Sequence, residues 1–393
     1  MPNSVIISAR QYAALVFLYI IGSAILIIPA TIASAAKQDA WLSGMLALAA
    51  ALLILPLYRA LGSRFAGAGM IPFVEALLGR WAGAFVMLLF IAAAPFQIAA
   101  MTLRNIGDFL TTQIMPETPI QAIHILFLCI VVMGVRLGLE PIARTAEIFL
   151  PYVVLLLVLL VSMVSPHIKP VNILPLLENG IKPVLKGSLP LLAFPFLECA
   201  FLIMLLPSVQ KSKEGGRALL KGVLFGGIVL VIVTLLSILV HGPSITARQI
   251  FPSYILARKI NIAGIIDRIE IIVAFIWFIS AYIRLTILVY ITATGLAETF
   301  RLKDHRSLAM PLAFILLTFS IVVMPNMSFN IELVPVWSVF SLLWGVCFPL
   351  LLLVIAAIRG PVLAPTAPGS VTDSVSDSGS DSGSDSGSGA DRT

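Results

Sequence analysis

Uncharged apolar runs of about 20 residues, the length a helix needs to cross a bilayer core, recur along this chain and limit its folds more than any other feature. A soluble chain of 393 residues buries one or two cores and has no use for ten such runs. With 60% apolar and only 11% charged residues, the fold class is all-α polytopic membrane protein, because a helix satisfies its backbone groups internally in lipid. Ten transmembrane helices are expected: Tyr12–Ala36, Trp41–Ala60, Ala82–Leu103, Ile120–Val135, Ala146–Val164, Leu189–Pro207, Leu219–Val240, Ile265–Leu296, Leu308–Met324 and Val334–Ile358. A short amphipathic piece, Ile71–Arg80, precedes the third.

The formal charge of +6 does not point to nucleic acid, because the basic residues sit in short loops, where they set orientation. With the N-terminus inside, the inner loops carry Arg59, Arg64 and Arg80; Arg136 and Arg144; Lys211, Lys213, Arg217 and Lys221; and Arg301, Lys303 and Arg306. Ten spans then leave both termini cytoplasmic. Two long outer segments, Pro166–Lys186 and Gly242–Gly264, also carry basic residues, but long loops are weak topology signals. Within them Ile173–Leu185 and Arg248–Lys259 are expected as short helices on the outer face, as lids or as plain connections. From Pro361 onward Ser, Asp and Gly repeat with no apolar content to offset ordering entropy. The expected domains are a membrane unit, 1–360, and a disordered tail, 361–393.

Cys129, Cys199 and Cys347 fall inside apolar runs and are expected as buried structural thiols. His124, His167, His241 and His305 are too scattered for a metal set, and the hydrolase, Walker and dinucleotide fingerprints are missing. An enzyme is not expected, nor is a cofactor.

The sixth span, LPLLAFPFLECAFLIMLLP, carries Pro195 and, three residues on, Glu198. Proline removes a helix hydrogen bond, and a carboxylate at mid-membrane costs roughly 2.5–3.5 kcal/mol on insertion scales. A break around Phe194–Leu197 that lines a polar cavity accounts for both. The first span reads YIIGSAILIIP, with Gly22–Ser23 and then Pro29. Alone, that pattern fits a kink as well as a break. Its partner lies five spans later, so a five-span repeat enters the membrane from the opposite side the second time. Interrupted helices at matching positions of inverted halves mark a midplane site. Free N–H groups there hold a carboxylate, unpaired carbonyls hold an ammonium or hydroxyl, and Glu198 adds a cation partner or proton acceptor.

The candidate ligand-binding residues are therefore Gly22, Ser23, Ala24 and Ile25 of span 1, with Phe194, Pro195, Phe196, Leu197 and Glu198 of span 6. On span 3 Gln97, Met101 and Arg104 share a face, with Phe96 and Ala100 beside it; that face is a pocket wall or ordinary packing. Trp277, Ser280 and Arg284 share a face of span 8. A lone arginine facing lipid is disfavoured, so Arg284 pairs inside the bundle with a carboxylate or carbonyls, or snorkels to the surface. Arg104 and Asp108 are one turn apart and read as a local ion pair. Asp267, Arg268 and Glu270 open span 8 and read as capping and local pairing, or as a gate.

Several of these stretches go together: ISARQ near the start, GSAILIIP in span 1, LRNIGDF after span 3, FPFLE in span 6, DRIE at Asp267–Glu270 and FIWFISAYIRLT beyond it. Together they resemble the B subunits of spore nutrient-germinant receptors, within the amino acid–polyamine–organocation transporter superfamily, over about Val5–Arg359. The resemblance implies a LeuT-like 5+5 inverted repeat with helices 1 and 6 discontinuous, in the inner spore membrane. It implies a sensor of an amino acid, sugar or nucleoside that acts with an A subunit and a C-subunit lipoprotein. It also places Arg284 where superfamily transporters hold a coupling sodium ion, which makes this side chain an ion substitute. The family's sixth-span motif has glycine before the glutamate; here Leu197 stands there, a side chain that intrudes on the pocket. A proton-coupled amino-acid permease working through Glu198 is the competing reading, and a purely structural scaffold the third.

Overall fold

The computed structural model describes residues 6–65, 69–210, 212–258, 269–324 and 327–359. The tail and Asp267–Arg268 lie outside them. The described residues are helical nearly throughout. The first span is split into α1 (Ala9–Ile21) and α2 (Ala24–Ala36), followed by α3 (Ala40–Arg64) and the short α4 (Met70–Leu78). Then α5 (Arg80–Ile91) runs through a π turn at Ala92–Phe96 into α6 (Gln97–Phe109), and α7 (Ile120–Leu137) and α8 (Leu139–Val164) complete the first half. The second half opens with α9 (Ile181–Leu191), a break, α10 (Cys199–Leu202) and a 3-10 segment, Ile203–Ser208. After α11 (Ser212–His241) come two short helices, α12 (Pro243–Arg248) and α13 (Pro252–Arg258). The long α14 (Glu270–Thr299) and α15 (Ala309–Val323) precede α16 (Met327–Leu342), which passes through a π turn, Leu343–Cys347, into α17 (Phe348–Arg359).

Among the described residues, nine helical stretches are long and apolar enough to cross a membrane, and α1 is a shorter apolar helix beside them. One of the nine, Ala24–Arg64, takes in α2, the tight turn Lys37–Asp39 and α3. The ten-span count follows when Ala9–Ala36 is taken as one interrupted crossing and α3 as the next.

Local chemistry accounts for the ends of these elements. Ser8 caps α1 with a reciprocal box: its hydroxyl accepts the Gln11 N–H at 3.1 Å and the Gln11 side chain accepts the Ser8 N–H at 2.9 Å. Just before it, Ile7 pairs its backbone with Ser208 and Gln210, so the start of span 1 is tied to the end of span 6. At the opposite end of the bundle, the buried Asp39 carboxylate accepts the Leu177 N–H and Gln38 donates to the Pro175 carbonyl. Proline inside α2 has a visible consequence. Pro29 has no N–H for the carbonyl of Ile25, and Ser253 of α13 donates its hydroxyl there instead, at 2.5 Å.

Four sequence expectations are corrected. Ile173–Leu185 is not a surface helix: its first part is turn, and its last part is the beginning of α9. Arg248–Lys259 forms no single helix, because Arg248 ends α12 and Pro252 starts α13. Span 3 does not stop at Leu103. It runs on past Arg104 and Asp108, whose buried i,i+4 ion pair at 3.0 Å removes the reason for a helix to end at charge. Of the three thiols only Cys199 is buried; Cys129 and Cys347 are exposed on the bundle surface, since an apolar run does not say which of its faces meets lipid.

Candidate functional site

Both expected breaks are present at one level of the bundle. The first helix ends at Ile21 and resumes at Ala24, with Gly22 and Ser23 in a turn. Gly22 is required there by close approach: a Cβ would lie 2.6 Å from Cδ of Arg284 and 2.8 Å from the Tyr19 carbonyl oxygen. In span 6 the chain leaves helical geometry at Phe194 (φ −131°, ψ 111°), just before Pro195, and Glu198 precedes α10.

Arg284 of α14 joins the two breaks. It is fully buried, and its guanidinium donates to the Glu198 carboxylate, to the Tyr19 carbonyl at 3.1 Å and to the Thr102 hydroxyl at 3.4 Å. The Tyr19 carbonyl belongs to the last turn of α1, where carbonyls have no helical successor to bond. The guanidinium also lies over the rings of Tyr19 and Phe194, at 4.4 and 4.7 Å. Tyr19 closes the cluster by donating its hydroxyl to the same Glu198 oxygen at 3.1 Å. Burial of both charges is tolerable because each is paired and hydrogen-bonded. Arg284 therefore pairs with a carboxylate and a carbonyl, and does not snorkel.

Tyrosine hydroxyls hold the loosened backbone beyond the break: Tyr58 of α3 donates to the Leu197 carbonyl at 3.1 Å, and Tyr12 of α1 to the Leu202 carbonyl at 2.9 Å. Nothing in the apolar spans distinguishes these tyrosines from packing residues, so sequence reasoning passes over them.

A cavity of about 620 Å³, counted with its open mouth, lies beside this cluster, toward the end of the bundle where α2 stops and α9 begins. Glu198 and Phe194 line it, with Ile27, Ile28 and Thr31 of α2 and Trp337 and Ser338 of α16. The wall from span 3 is Ile98, Met101, Thr102 and Asn105. Phe96, Gln97 and Ala100 are not on it; Phe96 stacks on Phe319 of α15 instead, at 5.7 Å. The π turn at Ala92–Phe96 is the reason, since an extra residue in one turn rotates the helix beyond it. Gly22, Ser23, Ala24 and Ile25 are buried at the break without lining the cavity. Pro195 and Phe196 are likewise behind it. Leu197 packs against Gly345, whose Cβ would meet the Leu197 Cβ at 2.7 Å. Trp277 rests on Phe109, ring centroids 4.4 Å apart, and Ser280 donates to the carbonyls of Ile276 and Trp277, so these two support α14 away from the cavity.

Two interrupted helices at one level, bridged by a buried charge pair beside an open cavity, define a polytopic membrane protein of the transporter-like class. Solved structures share the architecture: Mhp1, a nucleobase-cation-symport-1 family transporter with bromovinylhydantoin bound, superposes with a TM-score of 0.65 over 88% of this chain and 77% of its own at 13% identity. MhsT in complex with L-phenylalanine does so at 0.64 over 87% and 88%, with 16% identity. The fold is thus LeuT-like. More specifically, the chain belongs to the spore germination protein family, whose model matches residues 6–328. Spore germination protein KB of Bacillus subtilis (strain 168) is 27% identical over 89% of this chain and 94% of its own length. Spore germination protein XB of Bacillus anthracis is 26% identical over 65% and 71%.

Proposed function

We propose that this chain is the ligand-sensing subunit of a nutrient germinant receptor, and that a small germinant binds in the cavity beside Glu198. The carrying observation is the second carboxylate oxygen. Oε2 of Glu198 is taken by Arg284 and Tyr19, while Oε1 is buried without a hydrogen-bond partner among the described residues. A buried acceptor left unpaired costs about 1–3 kcal/mol, so a ligand donor placed there gains what the free protein lacks. Thr31, Asn105 and Ser338 give the cavity further polar contacts, and Trp337, Met101 and Met324 give it apolar walls, the mix usual for small-molecule sites. An amino acid, sugar or nucleoside fits this description.

Arg284 supplies the positive charge that holds the unwound helix to Glu198, and in this reading it replaces a coupling cation. Ligand binding shifts the bundle between two states by its different affinity for each. The shift passes to an A subunit and a C-subunit lipoprotein in the inner spore membrane, with ten crossings and both termini cytoplasmic. Support for these partners and this location comes from the family.

The test fills the cavity. Ile28→Trp is expressed in spores that depend on this receptor, with a panel of amino acids, sugars and nucleosides as germinants. Loss of the response to one class at normal protein level supports the site, and an unchanged response overturns it. Reconstituted vesicles that accumulate the active nutrient under an imposed proton gradient would show a permease instead.

A further inference from the structure

A second and much smaller cavity, with about 10 Å³ of space for a water-sized molecule, lies one turn from the first, toward the end of the bundle where α1 begins. Ile98, Glu198 and Trp337 border both, so they form the septum between two stations on one axis. Two of the helices around the smaller chamber widen into π turns beside it, at Ala92–Phe96 and Leu343–Cys347, and the break of span 6 adjoins it through Leu197 and Glu198. Such turns are rare and concentrate at functional sites.

Three chamber residues carry buried polar atoms with no hydrogen-bond partner among the described residues: Glu198 Oε1, Ser341 Oγ and Trp344 Nε1. A carboxylate oxygen only accepts, an indole N–H only donates, and a hydroxyl does both. A water-sized molecule that donates and accepts satisfies Ser341 and Trp344 and gives Oε1 one of the two hydrogen bonds it can accept, leaving the other lone pair for a germinant donor across the septum; a buried polar chamber is where proteins hold ordered water. On the far side the chamber is closed by aromatic rings. Phe90 stacks on Phe348 at 4.8 Å and meets Phe201 and Trp344 edge-on at 5.6 Å each. Phe201 and Trp344 are at once the chamber floor and half of this plug.

We propose that the small chamber is a hydration site through which Glu198 exchanges with the aqueous phase at the α1 end, and that Phe90, Phe201, Trp344 and Phe348 are its gate. The germinant cavity lies on the other side of the septum, so the proposal stands whether or not that cavity takes a nutrient.

Cysteine reactivity tests it on the full chain in proteoliposomes, with Cys129, Cys199 and Cys347 replaced by alanine. The probe is 2-aminoethyl methanethiosulfonate, which attacks thiolate, a species that needs water around it. Ser341→Cys is compared with Val339→Cys, whose side chain is 70% exposed on the lipid face. The chamber position should react about tenfold faster than the lipid-facing one, and Phe90→Ala should raise its rate about tenfold again by opening the floor. Equal rates at the two positions, or no effect of Phe90→Ala, would overturn the proposal. Should Ser341→Cys fail to reach the membrane, Phe340→Cys lines the same chamber and carries the same expectation.

Discussion

Removing Arg284 tests the centre of the site most directly. Arg284→Met keeps the length of the side chain and deletes its charge. The Glu198 carboxylate, 2% exposed, then has no cation, and the Tyr19 carbonyl loses its donor. Breaking a buried ion pair from one side costs about 3–5 kcal/mol. An orphaned carbonyl adds about 1–3 kcal/mol, for roughly 4–8 in all. Glu198→Gln alone should cost much less, because Arg284 keeps the Tyr19 carbonyl, the Thr102 hydroxyl and two ring faces. Added to Arg284→Met, Glu198→Gln removes the uncompensated charge and should restore about 3–5 kcal/mol. The assay is thermal unfolding of the full chain in detergent, read as loss of the monodisperse size-exclusion peak. At about 2 °C per kcal/mol for a long chain, Arg284→Met lowers the midpoint by about 8–16 °C and the double variant recovers about 6–10 °C of it. A single variant within about 2 °C of the parent, or a double variant no better than the single, would refute the charge-pair argument.

Other outcomes follow from close contacts and charge. Gly22→Val pushes a side chain into Arg284 and the Tyr19 carbonyl, so spores carrying it at normal protein level should lose the nutrient response; a full response would favour a scaffold. Gly345→Ala places a methyl 2.7 Å from the Leu197 Cβ and should lower the unfolding midpoint, with Leu197→Gly in the same chain restoring part of it; no restoration would mean that the two positions do not press on each other. With Arg284 already seated between the breaks, germinant binding should have the same affinity in sodium and in choline buffer, and a strict sodium requirement in equilibrium binding would contradict the ion-substitute role.

The parts of this site legible in the sequence are those that a lipid-facing helix would not tolerate. Glu198 and Arg284 are costly in hydrocarbon, and Gly22–Ser23 and Pro195 loosen a helix wherever they stand, so each announced itself locally. Long-range choices were not announced. The span 3 wall is displaced by a π turn that depends on tertiary packing, and Phe96, Gln97 and Ala100 rotate away with it. Trp337, Ser338 and Ser341 sit in an ordinary apolar run, where only their spacing of three to four residues hinted at a common face. The surface helices failed for a simpler reason: Pro175 and Gly180 end one turn and start another inside the stretch read as a helix.

The tyrosine hydroxyls have a mechanical consequence. Through Tyr12, Tyr58 and the Ile7 pairing, the lower portion of span 6 is fastened to α1 and α3, whereas α2 packs along α9. Spans 1 and 6 are thus each divided crosswise into an upper and a lower piece, and a single guanidinium joins the two breaks while α3, α11 and α14 run unbroken past them. A nutrient lodged against that guanidinium would have leverage over both broken spans at once, with the unbroken helices as the frame they move against.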